Sequence, residues 1–164
     1  MAQILIATHD KLKVDQLNIT SPAFENNGAI PEKYTYDGDN INPPLHIKNL
    51  PAATKSLALI IDSPDSPGKV WVHWLVWNIE PTNDIKENSC PGTLGLNDFW
   101  EHHYQGPCPP KGKRNYVFHI YALDSMLNLR PRTRRENLDA ELKDHLLAYG
   151  SMTGHYSWSR NPEK

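Results

Sequence analysis

Three stretches carry the strongest apolar pattern in the chain: SLALIID (56–62), VWVHWLVWNI (70–79) and NYVFHIYAL (115–123). Each is rich in β-branched and aromatic residues and has the length of a strand. In the second, strict alternation would put Trp71, His73, Leu75, Trp77 and Ile79 on one side and Val72, Trp74 and Val76 on the other. Both sides are apolar, which predicts a strand in the middle of a sheet, covered on each face. LKVDQLNI (12–19) and LHIKNL (45–50) are weaker strand candidates. Residues 20–44 and 80–115 hold few strand signals and many turn formers, and connections this long inside a compact domain tend to carry function. A single helix is predicted. Thr133 and Glu136 form a T-x-x-E capping box, and Leu138, Leu142, His145, Leu146 and Tyr149 recur at helical spacing before Gly150. It is expected to pack on the sheet near the C-terminus.

The chain has 164 residues and 38% hydrophobic residues, which suits one globular domain with a core that needs no metal or disulfide staple. Seventeen Lys and Arg against nineteen Asp and Glu leave a formal charge of −2. That balance lacks the broad basic field of a nucleic-acid binder, so no nucleic-acid partner is expected. The basic run RPRTRR (130–135) reads as a solvated loop. The two cysteines, Cys90 and Cys108, have no metal-binding or redox spacing. The start MAQILIA has no charged leader ahead of a long apolar core, and no segment reaches the ~18 apolar residues of a membrane span. A cytoplasmic protein with free thiols and no integral membrane contact is expected.

Candidate chemistry gathers at two places. Asp62 ends an apolar strand and leads into DSPDSP, where Asp and Ser before proline favour a rigid turn. A carboxylate at such a strand end is partly desolvated and needs a partner. His73 has two readings: a satisfied core residue, or, near a carboxylate, a charged donor to an anion. Asp65 is read equally as turn chemistry or as part of a pocket. The second place is YQGPCPPKGKRNYVFHIYALD (104–124). Its prolines make a stiff loop that feeds Arg114 and Tyr116 toward a strand end. Arg offers a planar fork to oxyanions and Tyr a neutral donor. The triplet EHH (101–103) with His73 supplies metal-ligand types, but adjacent histidines on a strand face opposite ways.

Taken together, D-x-P-D-x-P followed by V-H-W-L-V-x-N-I, then Y-x-G-P-C-P-P-x-G and Y-V-F-x-x-Y-A-L-D, resemble the phosphatidylethanolamine-binding protein family, also called the Raf-kinase-inhibitor-like family, in its bacterial and archaeal branch. SPAFENNGAIPEKYTYDGDNINPPL (21–45) resembles the N-terminal region of that family. The resemblance spans roughly residues 17–158. It implies a mainly β fold, an antiparallel β-sandwich with long loops and a peripheral C-terminal helix, as a single domain. It also implies a small pocket for phosphate-like anions. By matching position Asp62, Pro67, His73, Gly106, Pro109, Pro110 and Tyr116 would line it, with Trp71 at the edge. Tyr104, Cys108 and Arg114 from the same stretch complete the expected ligand-binding set. Two positions depart from the pattern: Arg114 stands where the family usually has histidine, and Asn115 where it has an arginine that pairs with an acidic residue of the first motif. Asp65 is therefore expected to lose its partner.

The expected function is binding of a phosphorylated small molecule or lipid head group, without a cofactor, by a binding or regulatory protein rather than an enzyme. The resemblance adds a regulator of kinase signalling, with a kinase or protease as protein target, and a homodimer. The alternative is a hydrolase using Asp62, His73 and Cys108 as orienter, base and nucleophile.

Overall fold

The computed structural model describes residues 14–109 and 112–157. Among these described residues, ten strands and one α-helix follow in chain order. The strands are β1 (Asp15–Gln16), β2 (Asn18–Thr20), β3 (Gly28–Ala29), β4 (Leu45–Lys48), β5 (Ser56–Ser63), β6 (Trp71–Ile79), β7 (Asp84–Ile85), β8 (Thr93–Leu94), β9 (Lys113–Leu123) and β10 (Leu146–Ser157). The helix α1 (Arg135–His145) lies between β9 and β10. The large sheet runs β1-β10-β9-β5-β6-β8, with β3 also on β10, and the small sheet runs β2-β4-β7. The long pairings are antiparallel. Only the short β1 and β3 join β10 in parallel.

β5 is buried along its whole length, as its unbroken apolar run predicts for a central strand. Its alternate residues feed two cores. Leu57, Leu59 and Ile61 meet Trp74, Val76, Phe118 and Ile120, with Leu45, Ile47 and Ile85 of the small sheet closing the sandwich. Ala58 and Ile60 meet Leu75, Trp77, Tyr121, Leu138 and Leu142, so α1 covers the outer face of the large sheet. The fold is therefore a mainly β sandwich with one helix near the C-terminus. No helix among the described residues is long and apolar enough to cross a membrane.

Three details differ from the sequence expectation. First, β6 does not alternate strictly. Its pairing with β5 shifts between Ile61 and Asp62, where Ile61 faces Trp74 and Asp62 faces Val72. His73 is the extra residue of this β-bulge, and a bulge re-aims the side chains around it. As a result Val72, Leu75 and Trp77 share the helix side, while His73 leaves that company. A second shift, between Leu57 and Leu59, accommodates Asn78 at φ 54°. Second, the helix ends at His145, and the segment from Leu146 is a long strand paired with β9. Third, the capping box does not form. The Thr133 hydroxyl donates to the carbonyl of Arg130, and the N-cap residue is Arg134, with no side-chain cap.

Candidate functional site

β6 and β9 place one polar hollow at the end of the sandwich. The turn after β5 brings Ser63, Ser66 and Pro67 to it; the start of β6 brings Trp71 and His73; the loop before β9 brings Cys108 and Pro109. Arg114 and Tyr116, two residues apart on β9, point the same way into it, and Phe99 closes a side. The cavity measures about 290 Å³. That is at the small end of small-molecule sites.

His73 is 3% exposed. Its ring stands edge-on to Tyr116 at 5.2 Å and to Phe99 at 5.1 Å between centroids. Phe99 in turn packs edge-on against Trp71. The Nδ1 of His73 lies 2.7 Å from the Gln105 carbonyl, which can only accept, so Nδ1 carries the proton. Burial pushes the imidazole down to about 4, against the pull of backbone hydrogen bonds to Gln105 and Gly106 and of Asp62 and Asp98. At neutral pH the ring is neutral, with Nε2 left as an acceptor. Burial pushes the Tyr116 phenol well above its ordinary value, so it stays a donor; the Arg114 charge pulls the other way. Arg114 is half-buried, and among the described residues it forms no ion pair. The permanent positive charge of the hollow is its guanidinium.

Asp65 keeps partners. It accepts hydrogen bonds from the backbone N–H of Asn115 at 3.1 Å and from Asn115 Nδ2 at 3.2 Å, and the Ser63 hydroxyl reaches it at 3.3 Å. The expectation that asparagine would strand Asp65 is thus corrected: the shorter amide still spans the gap. Asp65 belongs to the turn, with its lone pairs occupied.

Asp62 does not enter the hollow. Consecutive strand residues face opposite ways, and Ser63, not Asp62, is the one turned inward. Asp62 is 1% exposed on the helix side, where it accepts from Arg135 Nη1 at 2.6 Å and contacts His119 Nε2 at 3.0 Å. His119 Nδ1 meets the Tyr149 hydroxyl at 2.6 Å. Against burial, which alone would raise it, contact with His119 and the Arg135 guanidinium holds the Asp62 carboxyl below its ordinary value. The basic run at 130–135 is therefore not simply solvated: Arg135 is a buried counter-ion.

Of the residues singled out in the sequence, Pro67, Trp71, His73, Cys108, Pro109, Arg114 and Tyr116 come together around the cavity. Pro110 lies outside the described residues. Gly106 sits behind the hollow; a Cβ there would meet the Tyr34 carbonyl oxygen at 2.3 Å, so only glycine lets the two backbones approach. Tyr104 turns away, donating to the Tyr34 carbonyl at 2.6 Å and lining a separate recess with Asn40 and Asn88. Ser63, Ser66 and Phe99 are additions the sequence reading missed. Serines in a turn and a lone phenylalanine in a loop carry no chemical signature of their own, though the phase of β5 was a clue to Ser63.

A nucleophile, base and orienter are not assembled. Burial and Asp37 push the Cys108 thiol up, away from the reactive thiolate, and Asp62 faces the opposite side of the sheet from His73. The EHH segment is also otherwise engaged. His103 Nε2 pairs with Glu101, and Arg132 donates to His102 Nδ1.

The chain matches the family model described as phosphatidylethanolamine-binding protein over residues 20–157. It is 42% identical over 169 residues to the UPF0098 protein of Archaeoglobus fulgidus, covering 98% of this chain and 58% of that relative. The chain thus spans little more than half the length of the archaeal relative. It is 42% identical over 148 residues to the UPF0098 protein of Methanothermobacter thermautotrophicus, covering 85% of this chain and 98% of the relative. Among solved structures, a Chlamydia trachomatis phosphatidylethanolamine-binding protein homologue superposes with a TM-score of 0.84 at 34% identity, over 88% of this chain and 99% of that one.

Proposed function

Because the chain belongs to the phosphatidylethanolamine-binding protein family, we propose that it is a binding protein whose cavity takes a phosphate group carried by a small molecule or head group. The observation that carries this reading is the convergence of Arg114, Tyr116 and the His73 ring on one hollow walled by Trp71, Phe99 and proline. The guanidinium supplies charge-assisted hydrogen bonds, and the phenol adds a neutral donor. The neutral imidazole supplies an acceptor at Nε2, which suits a ligand that brings a proton of its own, either a P–OH or an ammonium. The aromatic and proline walls lower the local dielectric and strengthen each contact.

The charge that holds the anion is then fixed, not titratable near neutrality. Titration calorimetry with inorganic phosphate and O-phosphorylethanolamine between pH 5.5 and 8 tests this. Arg114→Ala should weaken binding roughly 10- to 100-fold, as the loss of a charged hydrogen bond implies. Wild-type affinity should show no step that follows a histidine. A steep loss near pH 6.5 that exceeds the ligand's own second ionisation and persists unchanged in Arg114→Ala would overturn the reading.

A further inference from the structure

A second cavity, of about 330 Å³, opens where β6 begins and α1 starts. Val70 and Val72 line it, whereas Trp71 and His73 line the first. Val72 packs in the helix-side core, so the two hollows lie on opposite faces of the strand. The loop at 96–99 serves both: Leu96 and Asp98 line the second cavity, and Phe99 walls the first.

The charges of this second hollow are arranged for an anion. Lys69, Arg134 and Arg135 line it, against the carboxylates of Asp98 and Glu136. Asp98 is fully used. It accepts from the backbone N–H of Val72 at 2.7 Å and from Arg134 Nη2 at 2.8 Å, and it lies 3.2 Å from Lys69 Nζ. It fixes the two cations, which also lie over the Trp71 and Trp100 rings at 5.0 and 4.6 Å, and leaves N–H groups of both directed elsewhere. Among the described residues, Nη1 of Arg134 is buried without a hydrogen-bond partner. Arg135 is only 7% exposed; Nη1 goes to Asp62, while among the described residues Nη2 and Nε have no hydrogen-bond partner. Its other neighbour, Asp139, stands 3.4 Å from Nε, and burial raises that carboxyl, which weakens the compensation. Unsatisfied charged donors are costly to bury. The same corner is the N-terminal end of α1, where Arg134 provides no side-chain cap and the first-turn N–H groups are left over. Val70, Val72 and Leu96 give the hollow an apolar wall.

We propose that this cavity is a second binding site, independent of the first, for a small organic anion: one oxyanion group held by Lys69, Arg134 and the start of α1, with a short apolar body against Val70, Val72 and Leu96. A phosphate ester and a carboxylate share that chemistry. Phenyl phosphate and benzoate, which carry the same ring, separate them.

The test is a backbone amide NMR titration of the full chain carrying Arg114→Ala, which weakens the first cavity, with each probe in turn. Saturable shifts at Val72, Leu96 and Glu136 are expected with at least one probe, and the tighter probe identifies the oxyanion. Adding Arg134→Ala or Lys69→Ala should raise the Kd at least tenfold, while Arg134→Lys should lose less. These two side chains are partly exposed, so the variants should melt within a few degrees of the parent, whereas Arg135 is too deeply paired to serve. Absence of shifts at those amides with both probes, or an unchanged Kd in Arg134→Ala and Lys69→Ala, would overturn the proposal. If the shifts fall only around Trp71 and Tyr116, the second site is likewise refuted, whatever the first cavity binds.

Discussion

Asp62 and Ser63 are neighbours in sequence with opposite duties. The carboxylate is the buried end of an ion pair with Arg135 and a hydrogen bond with His119, and the hydroxyl lines the candidate ligand cavity. Asp62→Asn keeps the shape and removes the charge, leaving Arg135 poorly compensated. Breaking a buried pair from one side costs about 3–5 kcal/mol. Urea unfolding should show a loss of that order, while the affinity of the folded protein for O-phosphorylethanolamine stays within about threefold of wild type. A large loss of affinity with unchanged stability would return Asp62 to the ligand site. The sequence showed that Asp62 needed a partner, since a carboxylate ends an apolar run. It could not show which partner, because that depends on how β5, β9 and α1 face one another across long loops. Arg114 and Tyr116 were legible because their chemistry is carried by the residue types themselves. Asn115 was misjudged because its backbone N–H, invisible to residue identity, supplies half of its hold on Asp65.

At the level of elements, the central strands were readable and the last one was not. β5, β6 and β9 announce themselves by runs of β-branched and aromatic residues. β10 presents Ala148, Gly150, Met152, Gly154 and Tyr156 to one face, and two glycines and an alanine leave almost no apolar signal. Meanwhile Leu142, Leu146 and Tyr149 satisfy a helical spacing by coincidence, so the helix was extended over the strand. The glycines have a packing reason. A Cβ at Gly150 would stand 2.4 Å from the Leu17 carbonyl oxygen, and at Gly154 it would stand 2.6 Å from Ile30 Cγ1. The outer pieces of chain lie directly on β10 at these points. Gly150→Ala must push Leu17 away, at a cost of about 1–3 kcal/mol for overpacking. Hydrogen exchange should localise the damage: the amide of Leu17, which donates to Tyr149, should lose protection, while those of β5 keep theirs. Equal loss of protection everywhere would mean that β1 is not a separable flap. The bulge at His73 was equally hidden, since a one-residue register shift leaves no mark on composition, yet it aims the imidazole at Tyr116.

For the molecule as a whole, two buried groups make stability depend on pH in the same direction. His73 titrates at about 4 in the folded chain against an ordinary 6.5. Between those values the unfolded chain binds a proton that the folded chain refuses, so stability falls as pH falls through that window. The gap corresponds to about 3 kcal/mol. Asp62, held below its ordinary value, adds stability that is present above the unfolded carboxylate range and lost as pH drops through its folded value. Acid should therefore weaken the fold in two stages, His73 first. His73→Asn separates them, because its amide can stand where Nδ1 stands and donate to Gln105 without titrating. Urea unfolding at pH 4.5, 5.5, 6.5 and 7.5 should show the variant less stable near pH 7.5 but with a flatter pH dependence, the slope between 4.5 and 6.5 reduced by about one proton. An identical slope in both proteins would mean that His73 takes up its proton alike in the folded and unfolded chains, so that it gains charge in the folded state near its ordinary value. In that event the anion charge would be shared between His73 and Arg114, and binding would have to follow the histidine after all. The stability curve and the binding curve thus test the same neutral ring from two sides.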